Sequence, residues 1–216
     1  MASTAGTTRR NPARATSAAR QQATTALLDA AESLLVDVGQ AGVTVRVVAE
    51  RASVNPGLVH YYFGSMEELL MQTLERFTSQ LLARQKALYD GPEPFADKWR
   101  NAMHYLTADF DSGYQKVWFE LQAMAWNHPE MRARVATVRT EWIDVLKPAF
   151  EKGLAELGVD TAMVPADVVV ALVATFNQGI MLERLSGSDS GHQVLLSWID
   201  AWLTEQERRG QSDARA

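Results

Sequence analysis

The residue types best suited to polar chemistry cluster in the segment SVNPGLVHYYFGSMEEL, residues 53–69. His60, Tyr61 and Tyr62 stand in a row there, and the segment contains neither lysine nor arginine. Tyrosine and histidine can hydrogen-bond phosphate oxygens while their rings pack against protein, which fixes position on a nucleic acid without reading its sequence. The segment begins with the turn signal Asn-Pro-Gly and ends with the helix-start signal Ser-x-x-Glu. It therefore predicts a short aromatic element between two sharp boundaries.

Catalytic and metal-binding chemistry has little support elsewhere in the chain. The four histidines, at positions 60, 104, 128 and 192, share no metal-ligand spacing, and no cysteine is present to act as a nucleophile, a disulfide partner or a zinc ligand. The sequence also lacks a glycine-rich phosphate loop and a nucleophile elbow. We therefore expect no metal, no cofactor and no enzymatic activity.

Positive charge is concentrated at the amino end of an acidic chain. The 216 residues carry a formal net charge of −5, yet the first 22 residues hold four arginines, Arg9, Arg10, Arg14 and Arg20, and no acid. Such an arm suggests that only this end of the protein meets a polyanion. The alternatives are a disordered tail that merely lacks acids and a transit peptide. The transit peptide ranks lower because the arm leads directly into a helical unit.

Helix-start and helix-stop signals divide the region after the arm into short helices. The predicted boundaries are Ser17–Val38 before Gly39 for helix 1, Val45–Ala52 behind the N-cap Thr44 for helix 2, Pro56–Phe63 behind the N-cap Asn55 for helix 3, and a capping box at Ser65 and Glu68 for helix 4. Two short helices joined by a tight turn and braced by a third describe a helix-turn-helix module. The geometry alone is a weak signal, because most short helical hairpins bind no DNA.

The pieces LLDAAESLLVDVG, VTVRVVAERASV and NPGLVHYYFGSMEELL, within residues 24–70, make the signal more specific. They resemble the DNA-binding domain of the TetR (tetracycline-repressor) family of bacterial regulators. The resemblance implies that helix 3 is the recognition helix and that His60 and Tyr61 reach phosphates. It also implies that Tyr62 and Phe63 are largely core residues.

Two positions depart from the family pattern. Ser53 stands where the turn usually has glycine, so it must tolerate the turn conformation or bind phosphate itself. Met66 stands where a lysine usually meets a phosphate, so that work must shift to Arg46, the amide ends of the helices and the arginine arm. Because residues 56–59 offer no bidentate reader, we expect apolar contacts with thymine methyls, shape readout and a base hydrogen bond from Asn55. The predicted DNA contacts are Arg9, Arg10, Arg14, Arg20, Thr44, Arg46, Ser53, Asn55, Pro56, Gly57, Leu58, His60 and Tyr61.

The rest of the chain has helical periodicity and no strand pattern, which predicts an all-α protein of about nine helices. Predicted spans for helices 4 to 9 are 65–89, 95–111, 114–127, 129–157, 165–185 and 192–208. The expected divisions are a flexible basic arm (1–22), the helix-turn-helix domain (23–70), a larger helical ligand-binding and dimerisation domain (71–210) and a flexible tail (211–216). No uninterrupted apolar run reaches the roughly 18 residues of a membrane span, so we expect a cytoplasmic protein without a membrane partner.

Helices 8 and 9 have more apolar residues than one buried stripe needs. Pairing with a second copy would bury the excess, and the family resemblance implies the same: a twofold four-helix bundle. The predicted interface residues are Val173, Ile180, Leu195, Trp198, Ile199 and Trp202. Helices 5 to 8 mix tryptophan and methionine with a few polar groups, which is typical of a small-molecule cavity. The candidate ligand contacts are Trp99, Met103, His104, Phe110, Trp118, Gln122, Trp126, Trp142, Phe176 and Asn177, each of which could instead be a core residue.

These observations and the resemblance together indicate a homodimeric, ligand-responsive regulator that binds double-stranded DNA. The expected activity is that of a repressor released from a palindromic operator by a small apolar or aromatic ligand. The alternatives are a helical small-molecule-binding protein or enzyme with no DNA role, and an all-α interaction module.

Overall fold

The computed structural model describes residues 12–188 and 191–213 of the chain, with side chains from 17 to 188 and from 191 to 210. Over these residues the chain forms nine α-helices and a 3₁₀ turn and contains no strand, which confirms the predicted all-α class. The helices are α1 (Pro12–Val38), α2 (Val45–Arg51), α3 (Gly57–Phe63), α4 (Met66–Asp90), α5 (Phe95–Asp111), α6 (Tyr114–Ala125), α7 (Pro129–Glu156), α8 (Ala166–Leu185) and α9 (His192–Asp213), with the 3₁₀ turn at Gln40–Gly42. The chain divides into two compact units, the first ending at Thr73 and the second beginning at Leu74.

The first unit is a three-helix module whose core follows the predicted apolar pattern. Leu27, Leu34 and Leu35 of α1 are buried, as are Val48 on α2 and the aromatic ring of Phe63 on α3. Gly39 ends α1 in a left-handed conformation with φ of 74°, which glycine adopts at little cost. Burial of these side chains fixes the orientation of α2 and α3, and hence which of their residues remain at the surface.

The amino-terminal boundary differs from the prediction. α1 begins at Pro12, whereas Ser17 was expected, and proline is favoured in a first helical turn because its missing N–H has no helical partner there. The flexible arm predicted over residues 1–22 is therefore helical from Pro12 onward, which is a correction. α9 likewise continues to Asp213, beyond the predicted end at residue 208.

The second unit packs α5, α7, α8 and α9 around an aromatic core. Phe150 of α7 contacts the rings of Phe95 and Trp99 of α5 edge-on, at centroid distances of 5.0 and 6.3 Å. The close approach of α5 to α7 depends on Gly153, since a Cβ atom at that position would lie 2.1 Å from the Phe95 ring. The Arg100 guanidinium of α5 donates a hydrogen bond of 2.7 Å to the Asp200 carboxylate on α9.

Helix α8 is long and apolar enough, by length and composition, to cross a membrane, with a mean hydropathy of 1.4 over an 18-residue window. The sequence interpretation considered uninterrupted apolar runs and missed this average. Core helices of soluble proteins satisfy the same criterion, so one such helix is weak evidence for a membrane span.

Candidate DNA-contact surface and ligand cavity

The helix-turn-helix is positioned by local caps at both ends. The backbone N–H of Val47 donates to Thr44 Oγ1 at 3.4 Å, which confirms Thr44 as the N-cap of α2. The backbone N–H of Glu68 donates to Ser65 Oγ at 3.1 Å at the start of α4. Both caps bond backbone donors that would otherwise have no helical partner, so the sequence signals at these two points correspond to real bonds.

The turn between α2 and α3 contains a strained residue. Ser53 has φ of 55° and is the one non-glycine residue with positive φ in the described part of the chain. This left-handed conformation is unfavourable for residues with a Cβ atom. Ser53 is exposed and therefore occupies the glycine-type turn conformation that the family pattern implied, at a conformational cost.

Asn55 was predicted as the N-cap of α3, but the structure has Pro56 at that position and begins the helix one residue later than predicted, at Gly57. Asn55 still bonds the start of the helix. Its Oδ1 atom accepts a hydrogen bond from the backbone N–H of Gly57 at 2.8 Å. A bidentate contact with adenine needs both the oxygen and the nitrogen of the amide. With its oxygen engaged in the bond to Gly57, Asn55 retains the amide NH₂ group for a base or phosphate acceptor.

The exposed face of α3 carries the two predicted phosphate ligands. His60 is exposed and the Tyr61 side chain is 73% accessible, whereas Phe63 is buried as predicted. Tyr62 is half-buried, with its ring 5.0 Å from that of Tyr61 in an edge-on arrangement. Val59 is fully buried, so the expectation that it offers its methyl groups to DNA is wrong.

One further hydrogen bond on α3 orients the histidine. His60 Nδ1 lies 3.2 Å from the carbonyl oxygen of Gly64, so the ring donates its Nδ1 proton there and directs Nε2 outward. Pro56 and Gly57 are exposed and Leu58 is half-buried on the same short helix. The accessible chemistry of this surface is thus phenol, imidazole and amide, with Arg46 exposed on α2 as a nearby source of positive charge in the same unit.

The predicted basic arm is only partly described by the structure. Arg20 is an exposed residue of α1 whose guanidinium lies 5.8 Å from the centroid of the Tyr62 ring, within reach of a cation–π interaction. Arg14 belongs to α1, but its side chain lies outside the described residues, as do Arg9 and Arg10 entirely.

The second unit contains a cavity of about 130 Å³ lined by five helices, α4 to α8. The lining residues are Thr78, Leu81, Gln85 and Tyr89 on α4; Trp99, Ala102, Met103, Leu106 and Asp109 on α5; Tyr114, Gln115 and Trp118 on α6; Val138, Arg139, Trp142 and Leu146 on α7; and Val173, Ala174, Asn177, Gln178 and Met181 on α8. The wall is mainly aromatic and aliphatic with a few polar groups, as in small-molecule sites.

The predicted ligand contacts divide into two equal groups. The structure places Trp99, Met103, Trp118, Trp142 and Asn177 in the cavity wall. The other five are corrections, because none of them lines the cavity: His104, Phe110, Gln122, Trp126 and Phe176.

Two of these corrections have a visible alternative role. Trp126, which follows α6, is 68% exposed, and Phe110 lies beneath the Arg184 guanidinium at 4.0 Å. The contribution of α4 was missed entirely, since its polar residues Thr78 and Gln85 have no distinctive sequence motif.

Some polar groups in the cavity wall have hydrogen-bond partners and others have none among the described residues. The hydroxyl groups of Thr78 and Tyr114 are 3.2 Å apart, and burial raises the pKa of Tyr114 to about 12. Asp109 accepts a 2.5 Å hydrogen bond from Arg84. Burial raises the pKa of the Asp109 carboxyl from its ordinary value, and the Arg84 contact opposes that shift.

Two amide oxygens in the wall remain unsatisfied. Gln85 Oε1 and Asn177 Oδ1 are buried and have no hydrogen-bond partner within the described part of the protein. A buried acceptor without a donor costs about 1–3 kcal/mol, so a ligand that supplies a donor would recover part of that free energy. Within the same described residues, no cluster of three or more histidine, cysteine or acidic side chains could hold a metal ion.

The predicted dimer residues also separate into exposed and internal positions. Leu195 and Trp198 of α9 are 41% and 63% exposed, as an interface would require. Ile180 is buried and Val173 lines the cavity, so these two α8 residues face the interior of their own chain. Ile199 and Trp202 are half-buried against the aromatic core of their own chain, so only part of each side chain could contact a second copy.

Helices α8 and α9 expose apolar side chains, as their excess of apolar residues predicted, but of the most exposed ones only Trp198 was among the predicted interface residues. We call the apolar residues of the two helices that are each more than half exposed the α8/α9 face: Val168, Leu172 and Leu182 on α8, and Val194 and Trp198 on α9. Helix α8 is apolar on nearly every side, so its sequence does not distinguish outer residues from inner ones.

Comparisons with known proteins agree with this architecture. Residues 27–73 match the family of bacterial regulatory proteins called the tetR family. The chain is 43% identical over 56 residues to the HTH-type transcriptional regulator BetI of Rhizobium meliloti (strain 1021), a match covering 26% of this chain and 28% of BetI. It is 25% identical over 155 residues to the HTH-type transcriptional repressor KstR2 of Rhodococcus jostii (strain RHA1), covering 70% of this chain and 72% of KstR2.

Solved structures extend the similarity across both units. The crystal structure of the transcriptional regulator FadR from Bacillus subtilis, in complex with stearoyl-CoA, superposes with a TM-score of 0.67 at 14% identity, covering 83% of this chain and 96% of FadR. A TetR-family transcriptional regulator from Rhodococcus sp. superposes with a TM-score of 0.63 at 21% identity, covering 84% and 98% of the two chains. Residues 27–73 therefore carry the helix-turn-helix domain of the tetR family of bacterial regulatory proteins, and the solved structures share the all-helical fold over most of the chain.

Proposed function

We propose that this protein is a homodimeric repressor that binds a palindromic operator through α3 and leaves it when a small apolar or aromatic ligand occupies the cavity. The observation that carries the proposal is the pairing, in one chain, of a short helix that exposes His60 and Tyr61 with a cavity that has unsatisfied polar atoms. The KstR2 relative is named a repressor, and the FadR structure contains stearoyl-CoA. Both support a ligand-responsive role in this fold.

Binding to DNA would depend on the positions of polar side chains on α3 rather than on a high density of positive charge there. Tyr61 and His60 can hydrogen-bond phosphates, and Arg46 adds one exposed cation in the same unit. Because the recognition helix itself has no lysine or arginine, we expect the salt dependence of the affinity to come from arginines outside it, Arg46 among them. A repressor that acts on chromosomal DNA would work in the cytoplasm, which is the location we propose.

The α8/α9 face is the surface on which a second copy would pack. Five large apolar side chains more than half exposed on two consecutive helices are unusual for a monomer surface. An isologous contact through this face would bury them on both copies at once. It would also pair two recognition helices on the two half-sites of a palindrome.

Ligand and operator would act on the same equilibrium from two sites. A ligand that binds the DNA-free conformation more tightly lowers operator affinity, and operator must weaken ligand binding by the same factor. A coupling free energy of about 1–3 kcal/mol corresponds to a roughly 5- to 150-fold change in affinity.

Fluorescence anisotropy with labelled DNA from the region upstream of the gene tests the DNA role. Arg46→Ala should weaken binding and reduce the slope of log K against log salt by about 0.9, because one phosphate contact is lost. Arg132→Ala is the matched control, since Arg132 is an exposed arginine of α7 in the second unit. Failure of the wild-type protein to bind this DNA, with an intact cavity, would favour a small-molecule-binding protein without a DNA role.

A further inference from the structure

The cavity volume matches a ligand of about one ring. An apolar protein cavity of about 150 Å³ accommodates benzene, whereas drug-sized ligands occupy about 300–1,000 Å³. At about 130 Å³ this cavity is closer to the first class, so one aromatic ring would fill most of it. Three indole rings, those of Trp99, Trp118 and Trp142, line it, so flat aromatic ligands would gain stacking and edge contacts.

The cavity wall carries one uncompensated positive charge. Arg139 of α7 lines the cavity and is half-buried. No hydrogen bond, ion pair or ring contact joins its guanidinium to another described residue. The only acidic residue in the lining, Asp109, is already engaged by Arg84 at 2.5 Å. A ligand carboxylate is the group that best matches a partly desolvated guanidinium, because the two can form paired hydrogen bonds.

The remaining polar atoms of the wall call for a donor on the ligand. Gln85 Oε1 and Asn177 Oδ1, on α4 and α8, are both buried acceptors without a donor among the described residues. A hydroxyl or N–H group on the ring would satisfy one or both.

We propose that the cavity binds a single-ring aromatic carboxylate that also carries a hydrogen-bond donor, with the carboxylate at Arg139 and the donor at Gln85 or Asn177. This inference rests on the proposed ligand-responsive function and adds the chemical class of the ligand.

Calorimetric titration with matched single-ring probes tests the class directly. The probes are para-hydroxybenzoate, its neutral amide para-hydroxybenzamide, and benzoate, which lacks the hydroxyl. The acid should bind roughly 10- to 100-fold more tightly than the amide, the range expected for a charge-assisted hydrogen bond. It should also bind more tightly than benzoate, which leaves both amide oxygens without a donor.

Variants then assign each preference to a residue. Arg139→Gln should remove the preference for acid over amide, and Arg132→Gln, on the same helix but outside the cavity, should preserve it. Asn177→Leu and Gln85→Leu together should remove the preference for para-hydroxybenzoate over benzoate. The wild-type acid-to-amide ratio is itself informative, so the test does not depend on any variant folding.

Three results would overturn the proposal: equal binding of acid and amide, a preference that survives Arg139→Gln, or no binding by either acid. Parallel anisotropy measurements on operator DNA separate this failure from that of the proposed function. Acids that bind the cavity without changing operator affinity would leave the ligand class intact and refute ligand-responsive repression. A neutral compound that binds the cavity and releases the protein from the operator would refute the ligand class and leave ligand-responsive repression intact.

Discussion

Replacing Ser53 with glycine should stabilise the helix-turn-helix unit. Ser53 is held at φ of 55°, where a residue with a Cβ atom is disfavoured by about 1–2 kcal/mol. Glycine removes that strain but has more freedom in the unfolded chain, which costs about 0.4–1 kcal/mol. The difference is a net stabilisation of about 0.5–1 kcal/mol. No burial is lost, because Ser53 is exposed.

Ser53→Ala is the control that separates backbone strain from loss of the hydroxyl group. Alanine keeps the Cβ atom and therefore the strain, so it should not stabilise the unit. The readout is native-state hydrogen exchange at the amide of Val54, which donates to the carbonyl oxygen of Ala49 at 2.9 Å across the turn. If local opening governs this amide, the glycine variant should raise its protection roughly two- to fivefold.

One outcome would contradict this reasoning. Protection that falls in the glycine variant while the alanine variant matches wild type would show that the positive φ is not strained in this turn. The same variants also test the hydroxyl group on DNA. If Ser53 binds phosphate, both should lose operator affinity to a similar extent, although only one of them gains stability.

Three other substitutions address the interface, the core and the recognition helix. Trp198→Glu should make the protein monomeric in analytical ultracentrifugation, since it would bury an unpaired charge in the interface at a cost of several kcal/mol. The control Trp126→Glu changes a comparably exposed tryptophan and should leave the protein dimeric. A dimeric Trp198 variant would exclude the α8/α9 face as the interface. Gly153→Ala should lower the free energy of unfolding by about 1–3 kcal/mol, because the alanine Cβ would clash with Phe95. An unchanged midpoint of urea unfolding would refute the close approach of α5 to α7. Asn55→Ala should cost about 0.5–2 kcal/mol by removing the hydrogen bond to the Gly57 N–H group at the start of α3. The loss would appear as faster amide exchange in that helix, and unaltered exchange would show that this bond contributes nothing.

Local signals in the sequence predicted the helix-turn-helix well. Thr44 and Ser65 cap helices by bonding backbone N–H groups three residues away, so the interacting groups lie within one short stretch of sequence. Gly39 likewise marks the end of α1 through its own backbone preference. The strain at Ser53 was anticipated only because the family pattern has glycine at that turn.

The cavity was predicted less well because its walls depend on how helices are rotated against one another. Met103 and His104 are adjacent in α5, yet only Met103 lines the cavity, and helical periodicity alone does not choose between neighbouring stripes. Gln85 is an ordinary residue of α4 in the sequence and becomes notable only once its oxygen is found buried. Arg139 was overlooked for the same reason: its lack of a carboxylate partner is a property of the packed helices.

Five of the six tryptophans of this chain occupy two contrasting environments. Trp99, Trp118 and Trp142 line the cavity, whereas Trp126 and Trp198 are exposed. Buried indoles emit at shorter wavelengths than indoles in water, so the blue edge of the emission spectrum would report on cavity occupancy. The red edge would respond when Trp198 becomes covered by a second copy, and Trp126→Phe would remove the background at that edge. The chain thus contains its own optical probes, and one spectrum could follow ligand uptake and subunit association separately.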